Sequence, residues 1–110
     1  MATGRSKYGN VRSEYNGRTF SSKKEADWAG HLDMMRKAVN PKQRVTDIEY
    51  QYRMPIVVNG FNICVYVADF RVTFADGRTE IWDVKGFKTD VYKIKAKLIE
   101  AVYGQKIIEV

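Results

Sequence analysis

VADFRVTFADGRTEIWDVKG, residues 67–86, is the stretch on which the fold turns. Val67, Ala68, Phe70 and Val72 surround Asp69, and Ile81, Trp82 and Val84 surround Asp83, so two apolar strands flank a tight turn at Asp76-Gly77. Both carboxylates, and Lys85 beside them, interrupt runs that read as buried. An unpaired buried carboxylate costs roughly several kcal/mol, so such a group is neutralised, hydrogen-bonded or bound to a cation. Asp83 and Lys85 are two apart, which on a strand places them on one face. Where Asp69 falls depends on the turn. A two-residue loop sets Ala75 against Arg78 and Asp69 against Val84, with the Asp69 carboxylate on the other side of the sheet from Asp83. A three-residue loop, residues 75–77 with Gly77 left-handed in a G1 bulge, sets Asp69 against Asp83. A site shared by the two acids requires the longer loop or a bulge of the same parity.

Residues 61–74 are apolar on both faces, the mark of a central strand. Residues 45–54 alternate, with Ile48, Tyr50, Tyr52 and Met54 against Glu49, Gln51 and Arg53. That predicts a half-exposed strand, ended by Pro55 and the Asn59-Gly60 turn signal. Ser22-Lys-Lys-Glu25 is a capping-box pattern, and the helix it opens runs to about residue 38, ahead of Asn40 and Pro41. Trp28, Ala29, Leu32, Met35 and Val39 form its apolar stripe. Glu25 lies on that stripe and points toward the sheet, although Glu at this position of a capping box also has a purely local reason to be there. Residues 11–20 carry Asn16-Gly17, the signal of a small β-ribbon, and residues 1–10 read as a mobile basic arm. Downstream, Thr89 or Asp90 caps a second helix that ends near Tyr103 at Gly104, with Ile94, Leu98, Ala101 and Val102 facing inward. Residues 105–110 form a last strand, and its return through a helix makes it parallel to the strand at residues 79–85. The fold class is α/β (α+β): helix, three strands, helix, strand, with a central mixed sheet flanked by helices and a ribbon and arm in front.

A chain of 110 residues is read as one domain, residues 1–110, with a core that needs no staples. The single cysteine, Cys64, allows no intramolecular disulfide and sits in an apolar run as a core residue. No apolar run nears the roughly 20 residues of a bilayer span, and residues 1–10 lack a signal-peptide core, so the expectation is a soluble cytoplasmic protein with no membrane partner. A net charge of +6 and a pI near 9.5 predict a polyanionic partner such as DNA or RNA. Basic residues gather in the arm (Arg5, Lys7, Arg12) and at Lys88, Lys93, Lys95 and Lys97, on both sides of the acidic pair. They read either as phosphate contacts or as a solvated helix face. His31, the only histidine, lies off the apolar stripe and is expected to be exposed. Asp69 and Asp83 against Lys85 leave a net negative charge that a divalent cation would correct; the bland alternative is a buried salt-bridge cluster that fixes strand register.

An Asp, a hairpin and then Asp-x-Lys resembles the PD-(D/E)xK nucleases, the restriction-endonuclease-like superfamily. KYGN at residues 7–10, YNGRTFSSKKEA at 15–26, ADF at 68–70 and DVKGFKT at 83–89 extend the resemblance over nearly the whole chain, to a family of small phage-encoded proteins assigned to that superfamily. Ala68 stands where the motif has proline, and Asp83 where many relatives have Glu. The resemblance implies a restriction-endonuclease-like core and a Mg²⁺-dependent DNA endonuclease of phage DNA processing, with Mn²⁺ able to substitute. It implies that Asp69 and Asp83 ligate the metal, with the Val84 carbonyl as third ligand and Glu25 as the first-helix acid, direct or through water. Lys85 would hold or activate the attacking water. Paired-strand cutting would favour a homodimer. A basic DNA-binding module that keeps the fold without chemistry is the competing class, and a nuclease for branched DNA is the alternative within the enzyme class.

Overall fold

The computed structural model describes residues 12–110, so the expected arm, with Arg5 and Lys7, lies outside the described residues. Strands β1 (Ser13–Tyr15) and β2 (Arg18–Phe20) make the expected ribbon, closed by Asn16 and Gly17 at φ 52° and 79°. Helix α1 (Lys23–Met34) follows and tightens into one 3-10 turn, Met35–Lys37. Strands β3 (Val45–Val58), β4 (Phe61–Phe74) and β5 (Thr79–Asp83) come next, then helix α2 (Asp90–Tyr103) and strand β6 (Ile107–Glu109). The main sheet has the order β3-β4-β5-β6, antiparallel except for the parallel β5–β6 pair that the α2 crossover makes possible. The protein is thus an α+β fold with a central mixed sheet and two helices.

The β4–β5 turn is the three-residue loop. Gly77 N–H donates to the Phe74 carbonyl at 2.9 Å, Phe74 N–H donates to the Arg78 carbonyl at 2.9 Å, and Gly77 takes φ 91°. A side chain at that φ costs about 1–2 kcal/mol, which is why glycine stands there. Phe70 therefore pairs with Trp82 as the last rung, and the same register sets Asp69 across from Asp83 just beyond the ladder.

Two apolar clusters hold the sheet. Ala26, Ala29 and Leu32 of α1 pack on Ile48, Phe70 and Val72. Tyr92 and Ile99 of α2 pack on Met54, Ile56, Tyr66 and Ala68. Full burial of a side chain such as Leu32, Phe70 or Ile99 contributes about 1.5–3 kcal/mol. On β5, Ile81 belongs to the α2 cluster while its neighbour Trp82 packs on the α1 cluster, so the two clusters lie on opposite faces of the sheet. It follows that β4 changes face between Phe70 and Ala68, and β3 between Tyr50 and Tyr52. The register is the same on both sides of the change, Tyr50 with Phe70 and Tyr52 with Ala68, while Gln51 and Asp69 between them are not paired. The switch falls at Gln51, which holds φ 51°, opposite Asp69.

Four expectations are corrected. The alternation of residues 45–54 does not continue through Gln51, and β3 runs on past Pro55, which an edge strand tolerates because its missing N–H breaks no ladder. Val39 lies beyond the helix end and is exposed. On α2 the inward row is Tyr92, Ala96 and Ile99, with Leu98 beside it, while Ile94, Ala101 and Val102 face out. Apolar residues occupy two stripes of this helix, and periodicity alone does not say which one packs.

Candidate active site

Beyond the Phe70–Trp82 pair, side chains replace the β4–β5 ladder. Val84 N–H donates to Asp69 Oδ2 at 2.8 Å, and Asp69 N–H donates to Asp83 Oδ1 at 3.0 Å. Each carboxylate thus satisfies an amide of the opposite strand that the ladder no longer reaches. On its other edge β5 stays anchored, with Val110 N–H on the Asp83 carbonyl at 2.9 Å and Lys85 N–H on the Val110 carbonyl at 3.1 Å. Asp83 is only 1% exposed, and its Oδ2 has no hydrogen-bond partner. Lys85 Nζ stands 3.7 Å from that oxygen and 4.0 Å from the centre of the Tyr92 ring. Tyr92 is fixed in turn, its hydroxyl donating to Glu109 Oε2 at 2.6 Å while Lys88 binds Glu109 Oε1 at 2.7 Å.

Glu25 reaches this cluster from α1. Ser22 caps the helix as expected, its Oγ accepting from Glu25 N–H at 3.1 Å. The Glu25 carboxylate is held elsewhere: Ser21 Oγ donates to Oε1 at 2.8 Å and Gln51 Nε2 to Oε2 at 3.2 Å. At 4% exposure it is a buried acid. Burial pushes its pKa up, and the charges of Asp69 and Asp83 push it further. Asp69 and Asp83 are also raised by burial, against the pull of the amides they accept from and of Lys85. Three carboxyls in one place therefore resist simultaneous ionisation.

The cluster borders a cleft of about 920 Å³ between the starts of the two helices, lined by the N-cap residues Ser22 and Thr89 and by Lys24, Glu25, Asp69 and Lys85. The first N–H groups of a helix have no intrahelical acceptor and favour anions, so both helix starts suit a phosphate. Lys24 Nζ donates to the Lys85 carbonyl at 3.2 Å across the cleft. Phe87, 88% exposed, also lines it. A second hollow of about 290 Å³ adjoins Glu25, Asp69, Gln51 and Arg12.

Of the expected site residues, Glu25, Asp69, Asp83, Val84 and Lys85 are brought together. The expected phosphate contacts divide. Lys88 is engaged by Glu109, Lys95 donates to the Val65 carbonyl at 3.3 Å, and Lys93 and Lys97 are exposed. Arg12 borders the second hollow, and His31 is exposed as expected. Tyr92 is a buried support for Lys85. Ser21, Lys24 and Phe87 were missed although they stand within the YNGRTFSSKKEA and DVKGFKT runs. Gln51, on the polar side of the expected strand and able either to face the site or to be solvated, is exposed and yet donates to Glu25, and its bent backbone carried no local signal.

Among the described residues no three His, Cys, Asp or Glu side chains are gathered into one ready coordination group. The donor set nonetheless fits a hard divalent cation: oxygens only, from carboxylates and the Val84 carbonyl, with a buried Asp83 oxygen that lacks a hydrogen bond. Among the described residues no helix is long and apolar enough to cross a membrane. Residues 5–109 match the family described as "Protein of unknown function (DUF1064)". No curated protein and no solved structure matches the chain.

Proposed function

The chain belongs to the DUF1064 family, and we propose that it is a Mg²⁺-dependent endonuclease of DNA. One observation carries the reading. Asp69 and Asp83 brace two diverging strands, Glu25 is drawn to them from α1, and Lys85 stands at the one buried carboxylate oxygen among the described residues that lacks a hydrogen bond. A cluster made only to fix register would not add a third buried acid beside an open cleft. The order α1, β3, β4, β5, α2, β6 is also the one that the restriction-endonuclease resemblance implies.

Asp69 and Asp83, with the Val84 carbonyl, would hold the Mg²⁺, and Glu25 would bind it directly or through water. When bound, Mg²⁺ supplies charge neutralisation at the scissile phosphate and lowers the pKa of a water. Lys85, kept in place by Asp83 and the Tyr92 ring, would hold the attacking water and face the developing negative charge. The amide braces keep Asp69 and Asp83 aligned without reorganisation during the reaction. Lys24 and the starts of α1 and α2 bind flanking phosphates, and Lys93 and Lys97 extend the basic surface.

Plasmid nicking with Mg²⁺, stopped by chelator, is the test. Asp83→Ala and Lys85→Ala should each abolish nicking while a gel-shift assay shows DNA still bound. Binding without any cutting by the parent would leave a DNA-binding module that does no chemistry.

A further inference from the structure

Among the described non-glycine residues, Asn16, Gln51 and Asn59 have left-handed backbone. The two asparagines precede glycine in hairpin turns, where that conformation is ordinary. Gln51 is different. It lies inside β3, paired on both sides, in a conformation that costs a glutamine about 1–2 kcal/mol. No register shift accounts for it: the pairs Tyr50–Phe70 and Tyr52–Ala68 keep one register, and only the rung between them, at Gln51 and Asp69, is unpaired. Strain of this kind persists where the surroundings impose it, and such places tend to be functional.

We infer that Gln51 is the positioning residue of Glu25: its left-handed backbone switches both strands between the two cores and brings its amide onto the Glu25 carboxylate. The amide reaches Oε2 at 3.2 Å while Ser21 holds Oε1 at 2.8 Å, so both oxygens of Glu25 are fixed by groups that no capping role requires. The switch also falls opposite Asp69, the one β4 residue whose N–H is taken by a carboxylate of the next strand. Gln51, Glu25 and Asp69 border the same second hollow. A regular strand would keep one alternation throughout and could not serve α1 with Phe70 and α2 with Ala68.

The inference rests on the nuclease reading, and the test keeps the two apart. Gln51→Gly accepts the positive φ and removes the amide, whereas Gln51→Val cannot adopt that φ without strain. Three measurements apply: the melting temperature, the rise in melting temperature that Mg²⁺ produces, and nicking kinetics. Gln51→Gly should melt within a few degrees of the parent, Gln51→Val well below it. Gln51→Gly should lower kcat about tenfold or more with KM for DNA unchanged, and should weaken the Mg²⁺-induced rise. In a Glu25→Gln background the same change should have no further effect on kcat, because a positioning residue acts through what it positions. A parent that nicks DNA beside a Gln51→Gly variant of equal kcat overturns this inference alone, as does a kcat loss that multiplies with that of Glu25→Gln. A parent that binds DNA but never nicks it overturns the nuclease reading. In that case an unchanged Mg²⁺ response in Gln51→Gly overturns the positioning role as well.

Discussion

Glu25, Asp69 and Asp83 titrate above their ordinary values of 4.5, 3.8 and 3.8 because burial disfavours their ionised forms. A carboxyl with a raised folded pKa contributes stability that is full below its unfolded value and is lost as pH rises through its folded value. In chelator the melting temperature should therefore fall as pH rises above the ordinary carboxyl range and through the raised values. Asp33 and Glu109 act oppositely: hydrogen bonds from Arg36 and Lys88 lower them, so their contribution is lost only as pH drops through those lowered values. Glu25→Gln should flatten that slope above the ordinary carboxyl range, melt no lower than the parent near pH 7, and cut poorly. Thermal melts from that range upward, with nicking assays on the same preparations, decide it; full activity in Glu25→Gln would remove this acid from the site. The capping-box spacing marked Glu25 in the sequence, but a capping box explains only Ser22. That its carboxylate turns to Ser21 and Gln51 is a matter of which strand lies beneath the helix.

At the scale of the element, the loop at residues 75–77 decides whether two acids share a site. Gly77→Ala meets no neighbouring atom within 4 Å, so its whole cost is the backbone at φ 91°, about 1 kcal/mol or somewhat more. The melting temperature should drop by about 4–8 °C for each kcal/mol, with activity at low temperature kept. Replacing residues 75–77 by a two-residue Asn-Gly turn should be far worse, because a one-residue slip moves Asp69 out of line with Asp83. Loss of nicking with the fold retained by circular dichroism is the expected result; a variant that still cuts would refute the register argument. The segment between β5 and α2 yields another prediction. Phe87 is too exposed to be a core residue and stands at the cleft, where an aromatic ring can stack on a base. Phe87→Ala should weaken binding to unpaired or branched DNA by about 1–3 kcal/mol while leaving stability unchanged, as titrations on matched single-stranded and duplex oligonucleotides would show.

For the whole molecule, a net charge of +6 set against a carboxylate cluster separates binding from chemistry. DNA affinity should fall with salt with a slope of about 0.9 per phosphate neutralised, and a flat response would remove the nucleic-acid assignment. The order of elements, the β5–α2–β6 crossover and the glycine-dependent loop were legible in the sequence, because alternation, caps and positive-φ turns are local and leave residue signatures. The pairing of Asp69 with Asp83 was legible as a condition: parity allowed two registers, and chemistry favoured one. Three things were not. Which stripe of α2 faces inward follows from the sheet it meets, and the sequence offered two. The face switch at Gln51 follows from helices packed on opposite sides of one long pair of strands, while glutamine gives no sign of a left-handed backbone. The setting of Lys85 between Asp83 and Tyr92 joins a strand end to a helix, and Glu109 steadies it from a second strand. Contacts between residues so far apart in sequence are chosen by burial and by the demand that each buried polar group find a partner, and that choice exists only once the chain has closed.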